Sequence, residues 1–255
     1  MNHTLSLLNY QIMSDIRSKF LGSSLGIFWC ILSPLLQVFM YVFLFGFVFK
    51  IKFPQTGSGF DYVLFILSGM VGWLGFQEGI LSAASSITRN GAIIKNIVFP
   101  MEIFPIASVF GGILTFLICL ISYALLSTGS FFSLHLWTIP FILIVQILFM
   151  IGCGFIISTI GAFVKDMHAF LPTIMQLLLI GTPIFYELKD LPSMFQKACV
   201  FNPLYYIFDS YRLVLFYNQA PHFTGLVIVG LFSCVFSYVG LTFFKKFKGY
   251  FESVI

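Results

Sequence analysis

The sequence predicts an all-α membrane protein with six transmembrane helices, an N-terminal amphipathic interface helix, and two short external re-entrant or surface helices between spans five and six. Three observations predict it. Hydrophobic residues make up 59% of the 255 residues and charged residues only 9%, whereas a soluble domain carries roughly 25% charged residues. The mean hydropathy is +1.02. The apolar residues are gathered into six long runs, at approximately 27–49, 61–82, 103–126, 137–163, 168–186 and 223–244. The remaining segment, 187–222, is too apolar for an ordinary loop and too broken to cross a bilayer. Spans need about 20 apolar residues each, so the chain is read as one membrane domain over 1–255.

The first element is an interface helix over 4–22. Leu5, Leu8, Ile12, Ile16 and Phe20 recur at helical spacing, with Asn9, Asp15, Arg17, Ser18 and Lys19 largely elsewhere. That pattern suits a helix lying in the membrane surface. It has no continuous apolar core, so it is not expected to be a cleavable leader. In the first span, Tyr41, Phe45 and Phe49 form one aromatic rail, and Phe39, Phe43 and Phe47 a second on nearly the opposite face. Both rails suit lipid contact and packing. One of them also suits a route for sugars, because aromatic faces stack on pyranose rings while tolerating sliding.

After the second span, the stretch "SITRNGAIIKNIVFPMEIFP", Ser86 to Pro105, breaks the apolar pattern with Arg89, Asn90, Lys95 and two prolines. Gly91 permits a turn, Ala92–Val98 can form a short helix, and Pro100 and Pro105 suit the start of the third span. The loop is placed at 85–100. The fifth run is short and interrupted by Pro172 and Pro183. Beyond it, "DLPSMFQKAC" and "NPLYYIFDSYRLVLF" each read as a short amphipathic helix. Asn202 followed by Pro203 is a good helix start: the amide caps free N–H groups and proline presets the backbone angle. The run from Leu204 to Phe216 is too short to cross a membrane.

Six spans place both termini on one side. With that side cytoplasmic, eight basic residues lie inside (Arg17, Lys19, Arg89, Lys95, Lys165, Lys245, Lys246, Lys248) and five outside (Lys50, Lys52, Lys189, Lys197, Arg212). This is the direction of the positive-inside rule. The C-terminal "KKFKGYF" reads as a juxtamembrane anchor to anionic lipid.

Little in the chain suggests chemistry. Asp61, Glu78, Glu102 and Asp166 are scattered, His3, His135, His168 and His222 lack metal-ligand spacing, and the five cysteines fit packing positions. No catalytic residue and no metal site are assigned. No glycine-rich phosphate loop is present, so any nucleotide hydrolysis belongs to another chain. The net charge of +4 follows membrane orientation rather than nucleic-acid binding.

Four stretches in the same order and spacing resemble the integral membrane subunits of type 2 ABC exporters that move polysaccharides: the O-antigen, capsule and teichoic-acid exporters. They are "DIRSKFLGSSLGIFWCILSPLLQVFMY", "NGAIIKNIVFPMEIFP", "GAFVKDMHAFLPTIMQLLLIGTPIFY" and "FNPLYYIFDSYRLVLF". One departure is Lys165-Asp166 in a turn where the family pattern has Arg-Asp, which keeps the charge and loses the planar fork. The resemblance implies a homodimer in a bacterial plasma (inner) membrane, joined to two copies of a cytoplasmic ABC ATPase. The ATPase would bind ATP and Mg, leaving this chain without a cofactor. A lipid-linked (polyprenyl) polysaccharide would be the substrate. On this reading Arg17, Lys19, Arg89, Asn90 and Lys95 are nominated for ATPase coupling, and Tyr41, Phe45, Phe185 and Tyr186 for the polysaccharide pathway. Asn202, Pro203, Tyr205 and Arg212 are nominated for an external gate helix. A type 2 exporter of a drug, peptide or lipid stays open as an alternative, as does a membrane enzyme of lipid-linked sugar metabolism.

Overall fold

A computed structural model describes residues 2–18, 26–49, 58–97, 99–127 and 134–254, and all regular structure among them is helical. Helix α1 covers Asn2–Ser18, and α2 covers Trp29–Val42 and continues as a π-helical stretch, Phe43–Val48. The second long helix is α3, Gly59–Ala84, followed by two short turns of helix, α4 (Ser86–Arg89) and α5 (Gly91–Asn96). Next come α6 (Ile103–Leu126), α7 (Ile139–Phe163) and α8 (Met167–Gly181). The chain closes with α9 (Ser193–Val200), α10 (Pro203–Leu215), α11 (Phe223–Phe247) and α12 (Phe251–Val254).

Five stretches among the described residues are long and apolar enough to cross a membrane: Trp29–Val48, Gly59–Ala84, Ile103–Leu126, Leu136–Phe163 and Phe223–Ser253. The fifth sequence run becomes α8, which has 15 residues with Pro172 inside it. At about 1.5 Å per residue that is roughly 22 Å, short of the roughly 30 Å hydrocarbon core. Helix α8 stops at Gly181, and Thr182–Tyr186 continue as irregular backbone. The structure therefore divides the six predicted spans into five full-length helices and one shorter one.

Helix α3 is central: 78% of its most apolar stretch is buried, against 11% for the first span and 22% for the last. Its core position follows from small residues at its crossings. A Cβ on Gly112 of α6 would stand 2.4 Å from the Gly75 carbonyl oxygen and 2.9 Å from the Gly79 nitrogen. Only glycine lets these two backbones approach so closely, and such close packing holds helices together in lipid, where burial from water gives no drive. Helices α7 and α11 repeat the device, since a Cβ on Gly240 would meet the Gly152 carbonyl oxygen at 2.7 Å.

Polar side chains add ties inside the bundle. Gln146 of α7 donates to the Gly72 carbonyl at 2.9 Å and accepts from the Tyr211 hydroxyl of α10 at 2.9 Å. Tyr123 of α6 donates to the Leu215 carbonyl at 2.9 Å. With these ties α10 packs on α3 and α7, and eight of its thirteen residues are buried. Helix α9, by contrast, buries only Cys199.

A second, smaller core gathers at the other end of the bundle. Ile87, Ile94, Met101, Phe104, Phe155, Phe244 and Phe251 pack together there. Lys248 donates to both oxygens of Glu102 at 2.9 and 3.0 Å. Lys248 thereby fastens the end of α11 to the start of α6. Lys245 and Lys246 stay exposed.

Candidate functional site

The nominated residues fall into three places. The first joins α1 to the loop after α3. Gln11 and Asp15, one helical turn apart, are the buried residues on the described face of α1, which packs along α6. Gln11 Nε2 donates to Asp15 Oδ1 at 2.7 Å and to Asn90 Oδ1 at 3.1 Å. Arg89 reaches Asp15 Oδ2 at 3.3 Å and Ser82 Oγ at 3.5 Å, and Ser108 of α6 donates to the same Asp15 oxygen at 3.3 Å. Asn90 completes the arrangement by donating to the Ser86 carbonyl at 2.8 Å. Buried charge is tolerated only with such partners. The effect is to bind the N-terminal helix and the loop into one unit.

Arg89 and Asn90 therefore hold α1, while Lys95 on α5 is exposed. Arg17 lies in the last turn of α1, and Lys19 lies outside the described residues. The sequence reading placed Asp15 away from the buried face of α1. It is in fact the centre of the contact, because α6 presents Ser108 and the loop presents the Arg89 guanidinium to it.

The second place is aromatic. Tyr41, Phe45 and Phe185 come together, with centroids 5.9 Å apart for Tyr41–Phe185 and 5.6 Å for Phe45–Phe185. Tyr62 joins edge-on to Phe45 at 5.8 Å and donates to the Phe185 carbonyl at 3.0 Å. The opposite rail stays outside: Phe39 is 64% and Phe47 68% exposed. Tyr186 turns its hydroxyl back onto the Ile180 carbonyl. Between α2, α3 and α6 lies a separate cavity of about 270 Å³ with Trp29, Gln37, Gln77, Glu78 and Thr115 on its walls.

The third place surrounds α10. Asn202 caps this helix, accepting from the Leu204 N–H at 3.0 Å, with Pro203 in the first turn as the sequence predicts. The same side chain donates to Thr182 Oγ1 at 3.1 Å. Arg212 is 2% exposed, donates to the Ile184 carbonyl at 2.6 Å and to Asp209 Oδ1 at 3.2 Å, and lies 4.1 Å over the Phe65 ring. Thus Asn202, Arg212 and Tyr62 together grip the irregular stretch after α8. Tyr205 touches Tyr206 and the His222 ring, with centroids at 5.2 and 6.4 Å.

Charges here are matched. Asp209 also meets His222 Nε2 at 3.0 Å. Glu187 pairs with Lys189 and accepts from the Tyr217 hydroxyl at 2.7 Å. Burial pushes the Glu187 carboxyl up, and the hydrogen bonds from Lys189 and Tyr217 outweigh it, holding the group below its ordinary value. Burial and the Glu187 carboxylate both push Tyr217 up. Asp209, Glu187, Tyr217 and His222 were not singled out from sequence for this place. Asp209 at three residues before Arg212 was the available signal.

Among the described residues no cluster of His, Cys, Asp or Glu could hold a metal ion. What the three places can do is mechanical and adhesive: join a surface helix to a loop, present aromatic faces, and hold a short helix by buried polar contacts.

Comparison with known proteins gives this arrangement a family. The sequence pattern of the ABC-2 type transporter family matches residues 7–216. The chain is 31% identical over 244 residues to an O-antigen export system permease protein RfbA of Klebsiella pneumoniae, covering 94% of this chain and 92% of that one. It is 22% identical over 244 residues to an O-antigen export system permease protein RfbA of Myxococcus xanthus, with the same coverage of 94% and 92%. To the polysialic acid transport protein KpsM of Escherichia coli it is 21% identical over 241 residues, 91% of this chain and 90% of that one. The α1–loop contact, the aromatic cluster and the whole of α10 lie within the matched residues. The chain belongs to the ABC-2 type transporter family, as a multi-pass membrane subunit.

Proposed function

We propose that this chain is the membrane-spanning permease of an ATP-driven exporter that moves a lipid-linked polysaccharide out of the cytoplasm. The observation that carries this reading is the 31% identity to an O-antigen export permease over nine-tenths of both chains. In the full transporter two copies of this chain pair with each other and with two copies of a cytoplasmic ABC ATPase, which binds ATP and Mg. Both termini are cytoplasmic, α8 with Thr182–Tyr186 makes the sixth crossing, and α9 and α10 form a gate on the outer face. The preponderance of basic residues at the α1, α4–α5 and α11 ends supports that orientation.

Coupling runs through the unit formed by α1 and the α4–α5 loop. A push from the ATPase on exposed Lys95 or on the Arg17 end of α1 reaches α6 through Asp15, which touches Arg89 and Ser108. The polymer slides past Tyr41, Phe45 and Phe185, whose ring faces give many weak, repeatable contacts.

The test is deletion of the gene in its own host. Loss of surface polysaccharide with accumulation of polyprenyl-linked glycan inside the cell is expected, restored by the wild-type chain. Unaltered surface glycan would overturn the reading. Cysteine accessibility at positions 96 and 194 checks the orientation, with only the second expected to react from outside.

A further inference from the structure

A hollow of about 320 Å³ opens beside α10. Its walls include Glu187, Tyr205, Asp209, Arg212, Tyr217 and Gln219, and only Leu188 and Leu213 among its lining residues are apolar. Such a lining is unusual in a chain that is 59% hydrophobic. At about 30 Å³ per liquid water, the space admits roughly ten waters, or one compact polar group of comparable bulk.

The charge pattern narrows what that group is. Glu187 is matched by Lys189 and Asp209 by Arg212. A phosphate or a bare cation therefore finds no uncompensated partner here. What the hollow does offer is hydrogen-bonding capacity. Each carboxylate has about four acceptor positions, more than the contacts made by Glu187 and Asp209 occupy. Gln219, exposed on the rim, adds a side-chain amide with two donors and an acceptor. Tyr205 and Tyr217 also line the hollow, and aromatic rings suit C–H groups. An uncharged ligand with several hydroxyls and an apolar C–H face satisfies all of these groups together.

The backbone builds the rim. Asn218 has φ of 56°, the left-handed region that asparagine enters more readily than most residues. That turn brings the Gln219 N–H back onto the Leu213 carbonyl at 2.8 Å, so the residue closes over the end of α10.

We propose that this hollow is a saccharide subsite, which holds single sugar units of the exported chain against Glu187, Asp209, Gln219 and the two tyrosines. It rests on the export reading above and gives that reading a place of contact distinct from the Tyr41–Phe45–Phe185 cluster.

Site-directed photocrosslinking in the exporting host tests it. The photoreactive residue p-benzoylphenylalanine is placed, one position at a time, at Gln219 and at Leu188 on the rim, at Phe45 in the aromatic cluster, and at exposed Tyr238 on α11 as the background. After irradiation, the purified full-length chain is probed with a sugar stain. The expected result is a shift of the protein band at Gln219 or Leu188 into a sugar-positive ladder absent at Tyr238. A ladder at Phe45 with none at either rim position would overturn the subsite and leave the export reading standing. A single small glycolipid adduct at the rim, without a ladder, would overturn it as well, assigning the hollow to a membrane headgroup. If deletion of the gene leaves surface glycan unaltered, the export reading fails and the subsite fails with it.

Discussion

Asp15 and Arg89, 74 residues apart in sequence, meet at 3.3 Å with Asp15 4% exposed. Gln11, Asn90 and Ser108 complete the contact. A buried carboxylate with a guanidinium and two neutral donors is costly to break, because the partner left behind is an unpaired charge away from water. The contact therefore ties helix α1 to the loop after α3 and to α6.

Coupling between the two residues is measurable. Asp15→Ala and Arg89→Ala each destabilise the chain, and a double-mutant cycle on unfolding in detergent should return an interaction of about 1 kcal/mol or more, in the range for contacting charged groups. Additivity would show that the two elements are held independently. Both single variants should also reduce export in the complemented host.

The α3–α6 crossing predicts a sharp positional contrast. Gly112→Ala places a methyl group against the Gly75 carbonyl and should cost about 1–3 kcal/mol, the usual range for overpacking. Gly181→Ala, where nothing lies within 4 Å of the added carbon, should change stability by less than about 0.5 kcal/mol. Thermal unfolding of the two variants side by side checks the difference, and equal losses would contradict the close approach.

His222 gives a pH dependence with a definite sign. Its hydrogen bond with Asp209 raises its pKa above 6.5, burial opposing, with the Asp209 charge adding to the rise. Arg212 shares Asp209, and the Tyr205 ring lies beside the imidazole. A raised pKa means that the folded state favours the protonated form, so the contribution is full below pH 6.5 and is lost as pH rises through the higher folded value. The melting temperature should fall across that interval in the wild type, and His222→Gln should remove this part of the slope. An unchanged slope in the variant would refute it.

Phe45→Leu separates packing from transport. Leucine keeps an apolar side chain of similar reach, so stability should change by less than about 1.5 kcal/mol. Export should fall, because the ring that bridges Tyr41, Tyr62 and Phe185 is gone. Wild-type export from a Phe45→Leu chain would leave the cluster with a packing role alone.

Much of this architecture was legible in the sequence. Long apolar runs gave four of the five full-length helices nearly to the residue, and Asn202-Pro203 marked the start of α10. Of Tyr41, Phe45, Phe185 and Tyr186, nominated together under the family resemblance, the fold brings the first three into ring contact and turns Tyr186 back onto the Ile180 carbonyl. Less legible was anything that depended on two distant segments. Asp15 looked like a solvated residue of a surface helix, since the serine and guanidinium that receive it lie 93 and 74 positions away. Gln146 and Tyr211, 65 positions apart, are likewise unremarkable until α7 and α10 meet. Helix α8 was read as long as its apolar run, yet the run's last five residues are drawn out of the helix by donors from α3 and α10.

The ion pair within α10 bears on how the protein is made. Arg212 would be prohibitive to deliver alone into a greasy bundle, but Asp209 stands one turn before it on the same helix, so the segment leaves the ribosome carrying its own counter-charge. It can dock as a nearly neutral unit, and only afterwards exchange water for the Ile184 carbonyl and the Phe65 ring. Those two partners are translated earlier, so the seat is already synthesised before its occupant arrives.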